Sequence, residues 1–243
     1  MAINLSDFRA EPRPNAVNDV IKAIQDALKS GDLQPSQRLP SEANLGEQLG
    51  VGRGTIREAM KMLKAMGVVE VRQGDGTYIS DRISPSVINP MLFAILLEAK
   101  NVGMLYEFRR MIDTGYCELA AEKATDEDFD TIEKVIDEME NYWNAGGRDN
   151  DELVQLDLKF HQSIMEATGN RLVVTIGEML KTMFQETLSS SVSAADGVVW
   201  TIAQHRRMLA ALRSRDLHAI RDAVAYGLDG SKNRRFDTQN DEA

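Results

Sequence analysis

Apolar residues in the first third of the chain keep helical spacing three times and then change period. Val17, Val20, Ile21, Ile24 and Leu28 share one helical face, and Gly31 stops that helix. Leu39-Pro-Ser-Glu42 follows, with Ser41 a predicted N-cap for a short helix that carries Leu45 and Leu49 and ends at Gly50. After a tight turn at Gly50-Val51-Gly52, a third helix buries Ile56, Met60 and Leu63 and closes near Gly67. Val68–Arg72 and Thr77–Ser80 then read as β-prone runs, and Gln73-Gly74-Asp75-Gly76 between them has the composition of a hairpin turn.

Beyond Pro90 only helical periodicity remains. Phe129, Ile132, Ile136, Met139 and Trp143 make one predicted inward stripe, Leu172, Ile176, Leu180 and Met183 another, and 144–150 breaks the helical run between them. The fold class expected is mainly α. It comprises an N-terminal winged helix-turn-helix, three helices plus a β-hairpin wing, over residues 1–82, and an all-α bundle of six or seven helices over 91–235. Pro85 and Pro90 amid Ser and Asp mark 83–90 as a linker, and 236–243 reads as a disordered tail.

At 43% hydrophobic residues the composition is that of an ordinary globular protein, and no window is apolar enough for a membrane span or a signal peptide, so a cytoplasmic protein is expected. The one cysteine, Cys117, has no intrachain partner and reads as a small buried hydrophobe. A net charge of −10 argues at first against nucleic acid. Residues 1–82, however, hold 11 Lys+Arg and 11 Asp+Glu, so the excess acid lies wholly in the C-terminal part. A neutral domain binds DNA if its cations share a face. Arg53, Arg57, Lys61 and Lys64 do so, on the side of the third helix away from Ile56, Met60 and Leu63. Such stripes also occur as solvated helix faces, and the preceding helices and Gly-rich hairpin, with Arg72 at its base, favour the DNA reading.

Leu39-Pro-Ser-Glu, Leu49-Gly-Val, Arg53-x-Thr-Ile-Arg-Glu-Ala59 and Gly67-Val-Val-Glu-Val-Arg-Gln-Gly-x-Gly-Thr77, in that order, closely resemble the winged-helix domain of the GntR superfamily. The resemblance implies that Arg53, Thr55 and Arg57 meet double-stranded DNA, with Gln73 and Gly74 entering the minor groove; the cation stripe adds Lys61 and the hairpin Arg72, and a homodimer on a palindromic operator is expected. Ala43 stands where many relatives place an arginine, which removes one family contact. Glu107–Asp113, Glu118–Thr125, Asp157–His161 and Gln204-His205 resemble the FadR-like subfamily with its FCD effector domain.

Asp157 and His161 lie one helical turn apart on the line of Leu153 and Ile164, so both point into the bundle, where polar groups need partners. They supply half a divalent-metal site, and His205, aligned with Ile202 and Leu209, offers a third ligand; a plain Asp–His hydrogen bond in a core is the alternative. The resemblance implies one Asp and three His around a metal, with zinc first by ligand type and nickel or manganese next. Gly227 occupies the position expected for the third histidine, so either water or effector completes the site or the metal has been lost. Arg109 falls on an apolar face and seeks an anion, either Asp113 one turn on or, as the resemblance implies, the carboxylate of a small effector. Asn170 reads first as a helix N-cap and second as a pocket residue.

Together these features predict a DNA-binding regulator, a repressor first, controlled by a small organic or sugar acid. Two rivals are a helical metalloenzyme using Asp157, His161 and His205 and a DNA-binding protein without a ligand. The enzyme is disfavoured because no second Glu-x-x-His repeat and no Gly-x-Ser-x-Gly motif are present.

Overall fold

In the computed structural model, which describes residues 15–82, 90–99, 101–180 and 195–240, the chain forms two units, Met1–Asn89 and Pro90–Ala243. The first unit contains α1 (Ala16–Ser30), α2 (Glu42–Leu49), α3 (Arg53–Ala65), β1 (Val69–Arg72) and β2 (Gly76–Ile79). Ser41 caps α2 by accepting from the Asn44 N–H, as its side chain predicts. Gly50 then takes φ 65°, the left-handed conformation that lets the chain reverse into α3. Gly46 allows the close approach of these helices, since a Cβ there would lie 3.0 Å from the Val51 carbonyl oxygen. Val20, Ile24, Leu39, Leu45, Ile56, Ala59, Met60, Leu63, Val69 and Ile79 form one core. Leu49, by contrast, is 36% exposed at the end of α2.

The strands are antiparallel, with Val69 opposite Ile79 and Arg72 opposite Gly76. Arg72 thus stands at the tip of the hairpin and not at its base. The stretch before α2 joins the same ladder: Leu39 N–H donates to the Thr77 carbonyl at 2.8 Å, and Ile79 N–H to the Gln37 carbonyl at 2.8 Å. Pro35 and Pro40 flank this short bridge and limit it to a few residues.

The second unit has seven helices among the described residues: α4 (Pro90–Glu98), α5 (Val102–Lys123), α6 (Asp126–Asn144), α7 (Asn150–Ala167), α8 (171–180), α9 (Ala195–Ser214) and α10 (Leu217–Asn240). Pro90 therefore opens a helix and is not linker; 83–89 lie outside the described residues. Residues 236–240 continue α10 where a disordered tail was expected, because the helix has no stop signal before Asn240. Phe160, Ile132, Ile136, Met139, Ile164, Leu212 and Ile220 are almost fully buried in the core between α6, α7, α9 and α10. Cys117 lies in the same core, its Sγ 3.9 Å from Met208 Sδ. No helix among the described residues is long and apolar enough to cross a membrane.

Two polar devices fix the helix ends around this core. Thr125 and Asp128 make a reciprocal capping box at the start of α6. Arg215, in a left-handed conformation, donates to the carbonyls of Ala121 and Ala124 at the end of α5, partners that the helix itself does not supply. On the outside, Arg206 bonds Asp137 and Glu140, each at 2.6 Å, and ties α9 to the acidic face of α6.

The predicted stripe on α8 is rotated. Leu172 and Ile176 are 72% and 50% exposed, whereas Val174 and Leu180 are buried. Every alignment of apolar residues on so short a helix offers more than one inward line, and packing on Met165 selects the one through Val174 and Gly177. Met183 lies outside the described residues.

Replacement of Ile132 by alanine is expected to destabilise the helical unit by about 2–5 kcal/mol, and loss of the Thr125 cap by about 1 kcal/mol. Denaturant unfolding followed by Trp143 fluorescence measures both, and equal effects would refute the core position of Ile132.

Candidate functional site

In the first unit the cations of α3 stand on its outer face. Arg53, Arg57, Lys61 and Lys64 are exposed, Thr55 is half-buried, and Lys61 pairs with Glu58 at 3.0 Å. Gly52 at the N-cap brings no side chain to the first turn, so those backbone N–H groups face outward without a side-chain acceptor. Arg57, Lys61 and Lys64 line a groove whose other wall is β1 and β2, through Val71 and Thr77. The hairpin tip, Gln73 and Gly74, is exposed, with Gly74 at φ 77°.

The hairpin's cations are partnered within the chain. Arg72 donates to Glu70 at 2.6 Å and lies 4.0 Å over the Tyr78 ring, and the Tyr78 hydroxyl donates to Asp75 at 2.7 Å. Arg38, which the sequence reading passed over, reaches the tip and bonds the Asp75 carbonyl oxygen. Only its bridge onto β2 brings it there, and sequence spacing gives no signal of that.

In the second unit Asp157, His161 and His205 converge. Each offers a ligand atom, and these atoms lie within 4.8 Å of one another. Asp157 and His161 come from successive turns of α7, and His205 comes from α9. They share a cavity with Arg109, Tyr116, Thr201, Gln204 and Gly227, from α5, α9 and α10. An adjoining apolar space, lined by Ile112, Leu158, Met165, Val174 and Leu180, continues past Arg109 and His161. Asn170 is the N-cap of α8, accepting from the Leu172 N–H at 3.0 Å, and does not line either space.

Donor and acceptor chemistry assigns the protons. Arg109 only donates, and its Nη2 lies 3.4 Å from His161 Nε2, so that nitrogen carries the lone pair and Nδ1–H donates to Tyr116 Oη at 2.9 Å. Asp157 only accepts, so His205 Nε2–H donates to its Oδ1 at 3.1 Å. Asp157 Oδ2 and His205 Nδ1 are then buried without a hydrogen-bond partner. The His205 ring is held by stacking on Phe160, centroids 3.7 Å apart.

Electrostatics keep the site ready for a cation. Burial pushes the Asp157 carboxyl up, but the His205 hydrogen bond, followed by the electrostatic influence of His161, His205 and Arg109, outweighs it and holds the group at about 2. Burial lowers His161 below its usual range, assisted by Arg109 and opposed by Asp157, so at neutral pH it is an imidazole whose Nε2 lone pair faces Arg109. Arg109 pairs with Asp113 at 3.2 Å, the internal partner that the sequence suggested, while still lining the cavity. Tyr116 was missed, although it continues the α5 face of Arg109 and Ile112. Burial, and then the Asp113 charge, raise its hydroxyl well above the usual range, so it stays protonated.

The described donor set therefore fits a divalent cation: two imidazoles, one carboxylate held ionised, and two buried lone pairs with nothing bonded to them. The position of Gly227 is not empty space. A Cβ there would meet Gln204 Nε2 at 2.7 Å.

Comparison with known proteins agrees with this architecture. Residues 16–79 match the bacterial regulatory proteins of the gntR family, and residues 104–229 match the FCD domain. The chain is 33% identical to the HTH-type transcriptional regulator LutR of Bacillus subtilis (strain 168) over 161 residues, 66% of this chain and 72% of that protein. It is 23% identical to the galactonate operon transcriptional repressor of Escherichia coli (strain K12), over 90% of this chain and 96% of the repressor. The solved structure of Streptococcus agalactiae GntR matches with a TM-score of 0.61 at 26% identity, covering 90% of this chain and 99% of that one. A winged helix-turn-helix followed by a helical unit with an Asp-His-His cavity, matched over both parts, makes this chain a transcriptional regulator of the GntR family with an FCD domain.

Proposed function

We propose that the affinity of this regulator for its operator is set by a small organic or sugar acid bound in the cavity between α5, α7, α9 and α10. The observation that carries this reading is the pairing of a buried Arg109 with the partnerless lone pairs of Asp157 and His205 in one cavity. Arg109 holds the effector carboxylate by charge-assisted hydrogen bonds. Asp157, His161 and His205 hold a divalent cation, zinc first and nickel or manganese next, which when bound supplies a second electrostatic anchor for the acid. Tyr116 fixes the His161 ring by accepting its Nδ1–H, so that Nε2 faces the cation. The galactonate repressor among its relatives is in keeping with an acid as effector and with repression as the output.

On the DNA side, α3 lies in the major groove of a palindromic operator with Arg53 and Thr55 near base edges and Arg57 and Lys61 on phosphates, while Arg72, Gln73 and Gly74 approach the minor groove. The exposed cation stripe and the uncapped first turn of α3 support this placement. The protein acts as a homodimer, each copy reading one half-site. The acid changes operator affinity only as far as it binds the two arrangements of the dimer unequally.

Replacing Arg57 with alanine is expected to weaken DNA binding and to reduce the slope of log affinity against log salt by about 1. Fluorescence anisotropy on DNA from upstream of the protein's own coding sequence checks this, and an unchanged slope would remove Arg57 from the phosphate contacts. For the cavity, protein purified without chelator is expected to carry a divalent ion near one per chain by elemental analysis. Galactonate, malate and lactate are the first acids to screen by thermal shift. A true effector at a hundredfold excess over its Kd stabilises the protein by about 2.7 kcal/mol, and that gain should vanish after chelation. Arg109→Lys should keep the metal and lose the acid. Stabilisation that survives both treatments would refute the proposed anchoring.

A further inference from the structure

Gln204 has no role in the function proposed above, yet it is a buried polar side chain of the same cavity. It is buried on α9, beside His205, and its Nε2 donates to the Ala223 carbonyl on α10 at 2.6 Å. That bond fixes the orientation of the amide, because a carbonyl oxygen accepts only from the NH2 end. Oε1 is therefore the other end, and it is buried with no hydrogen-bond partner, on a side chain that lines the same cavity as Asp157 and His205, whose Oδ2 and Nδ1 are likewise unpartnered. Three acceptors without a donor in one buried space carry a desolvation cost that a cation removes and that packing does not.

Gly227 explains why the amide can stand there. Any side chain at 227 would begin 2.7 Å from Gln204 Nε2, so the absence of a Cβ on α10 is what admits the carboxamide from α9. With the amide in this orientation, it and a side chain at 227 compete for the same space. We infer that Gln204, through Oε1, is the fourth protein ligand of a divalent cation held by Asp157, His161 and His205, occupying the place that a side chain at 227 would otherwise fill. This rests on the metal reading proposed above. The resulting set has two imidazole nitrogens and two oxygens, one charged and one neutral, a mixture that admits manganese beside zinc more readily than an all-imidazole site does.

The test is a double-mutant cycle on the full-length protein, stripped and reloaded with Zn2+, Mn2+ or Co2+ alone. Metal affinity is measured by competition with a chromophoric chelator, and circular dichroism melting of the metal-free proteins shows that each variant folds. Gln204→Leu is expected to weaken metal binding about 10- to 100-fold and to change the visible absorption spectrum of bound Co2+, a readout that a merely structural role would not move. Gln204→Glu, which keeps an oxygen donor, is expected to bind at least as tightly as the parent. In a Gly227→His background, where the new side chain displaces the amide, Gln204→Leu is expected to cost nothing. If the parent binds metal and Gln204→Leu leaves both affinity and Co2+ spectrum unchanged, the assignment of Gln204 is overturned while the three-ligand site stands. If the parent binds none of the three metals, both fall together.

Discussion

An ionised carboxylate inside a helical bundle organises the C-terminal unit. Asp157 is 3% exposed, in a cavity lined by Phe160, Ile164 and Met208 as well as by the polar Arg109, Tyr116, Gln204 and His205. In such surroundings an unmatched charge is untenable, and a carboxyl normally takes up a proton. Here the His205 hydrogen bond and the neighbouring His161 and Arg109 keep it ionised. The cost of that arrangement is offset only if α5, α7 and α9 stay in register, because each contributes one member: Arg109, Asp157 and His205. The polar cluster thus specifies the alignment of three helices that apolar packing alone would hold less selectively, at the same time as it creates a place for a charged guest.

The two units divide the electrostatic work. The excess acid lies in the C-terminal part, much of it on α6 with its first-turn carboxylates and its Asp137, Glu138 and Glu140 face. Part of that charge is met by Arg206 and Arg213 from α9, which stitch helices together at the surface. Such exposed pairs add little individually, so the packing of Ile132, Ile136 and Leu212 beneath them dominates. The N-terminal unit, neutral in sum, gains its positive face by geometry alone: one helix puts its cations on one side.

Much of this was legible in the sequence because its signals were local. Helix stops at Gly31 and Gly50, the Ser41 cap and the switch to period two at Val69 are each fixed within a few residues. The inward Asp157, His161 and Arg109 followed from the 3.6-residue repeat against long apolar lines. What the sequence hid depends on tertiary contact. The rotation of α8 is decided by Met165 against Gly177, and the strand-like bridge before α2 by β2. The role of Gln204 depends on a glycine 23 positions later on another helix. Tyr116 was readable in principle, since it lies on the same α5 face as Arg109.

The internal pairing of the wing has a kinetic side. Arg72 with Glu70, and Arg38 with Asp75, present to an approaching phosphate no net charge from the hairpin, only a set of local dipoles. Attraction over a Debye length therefore comes from α3, while the hairpin engages only when a phosphate is near enough to exchange places with a carboxylate. On the DNA placement proposed above, the wing would act as a late-stage proofreader of fit, letting the protein leave wrong sites quickly without giving up speed in finding them.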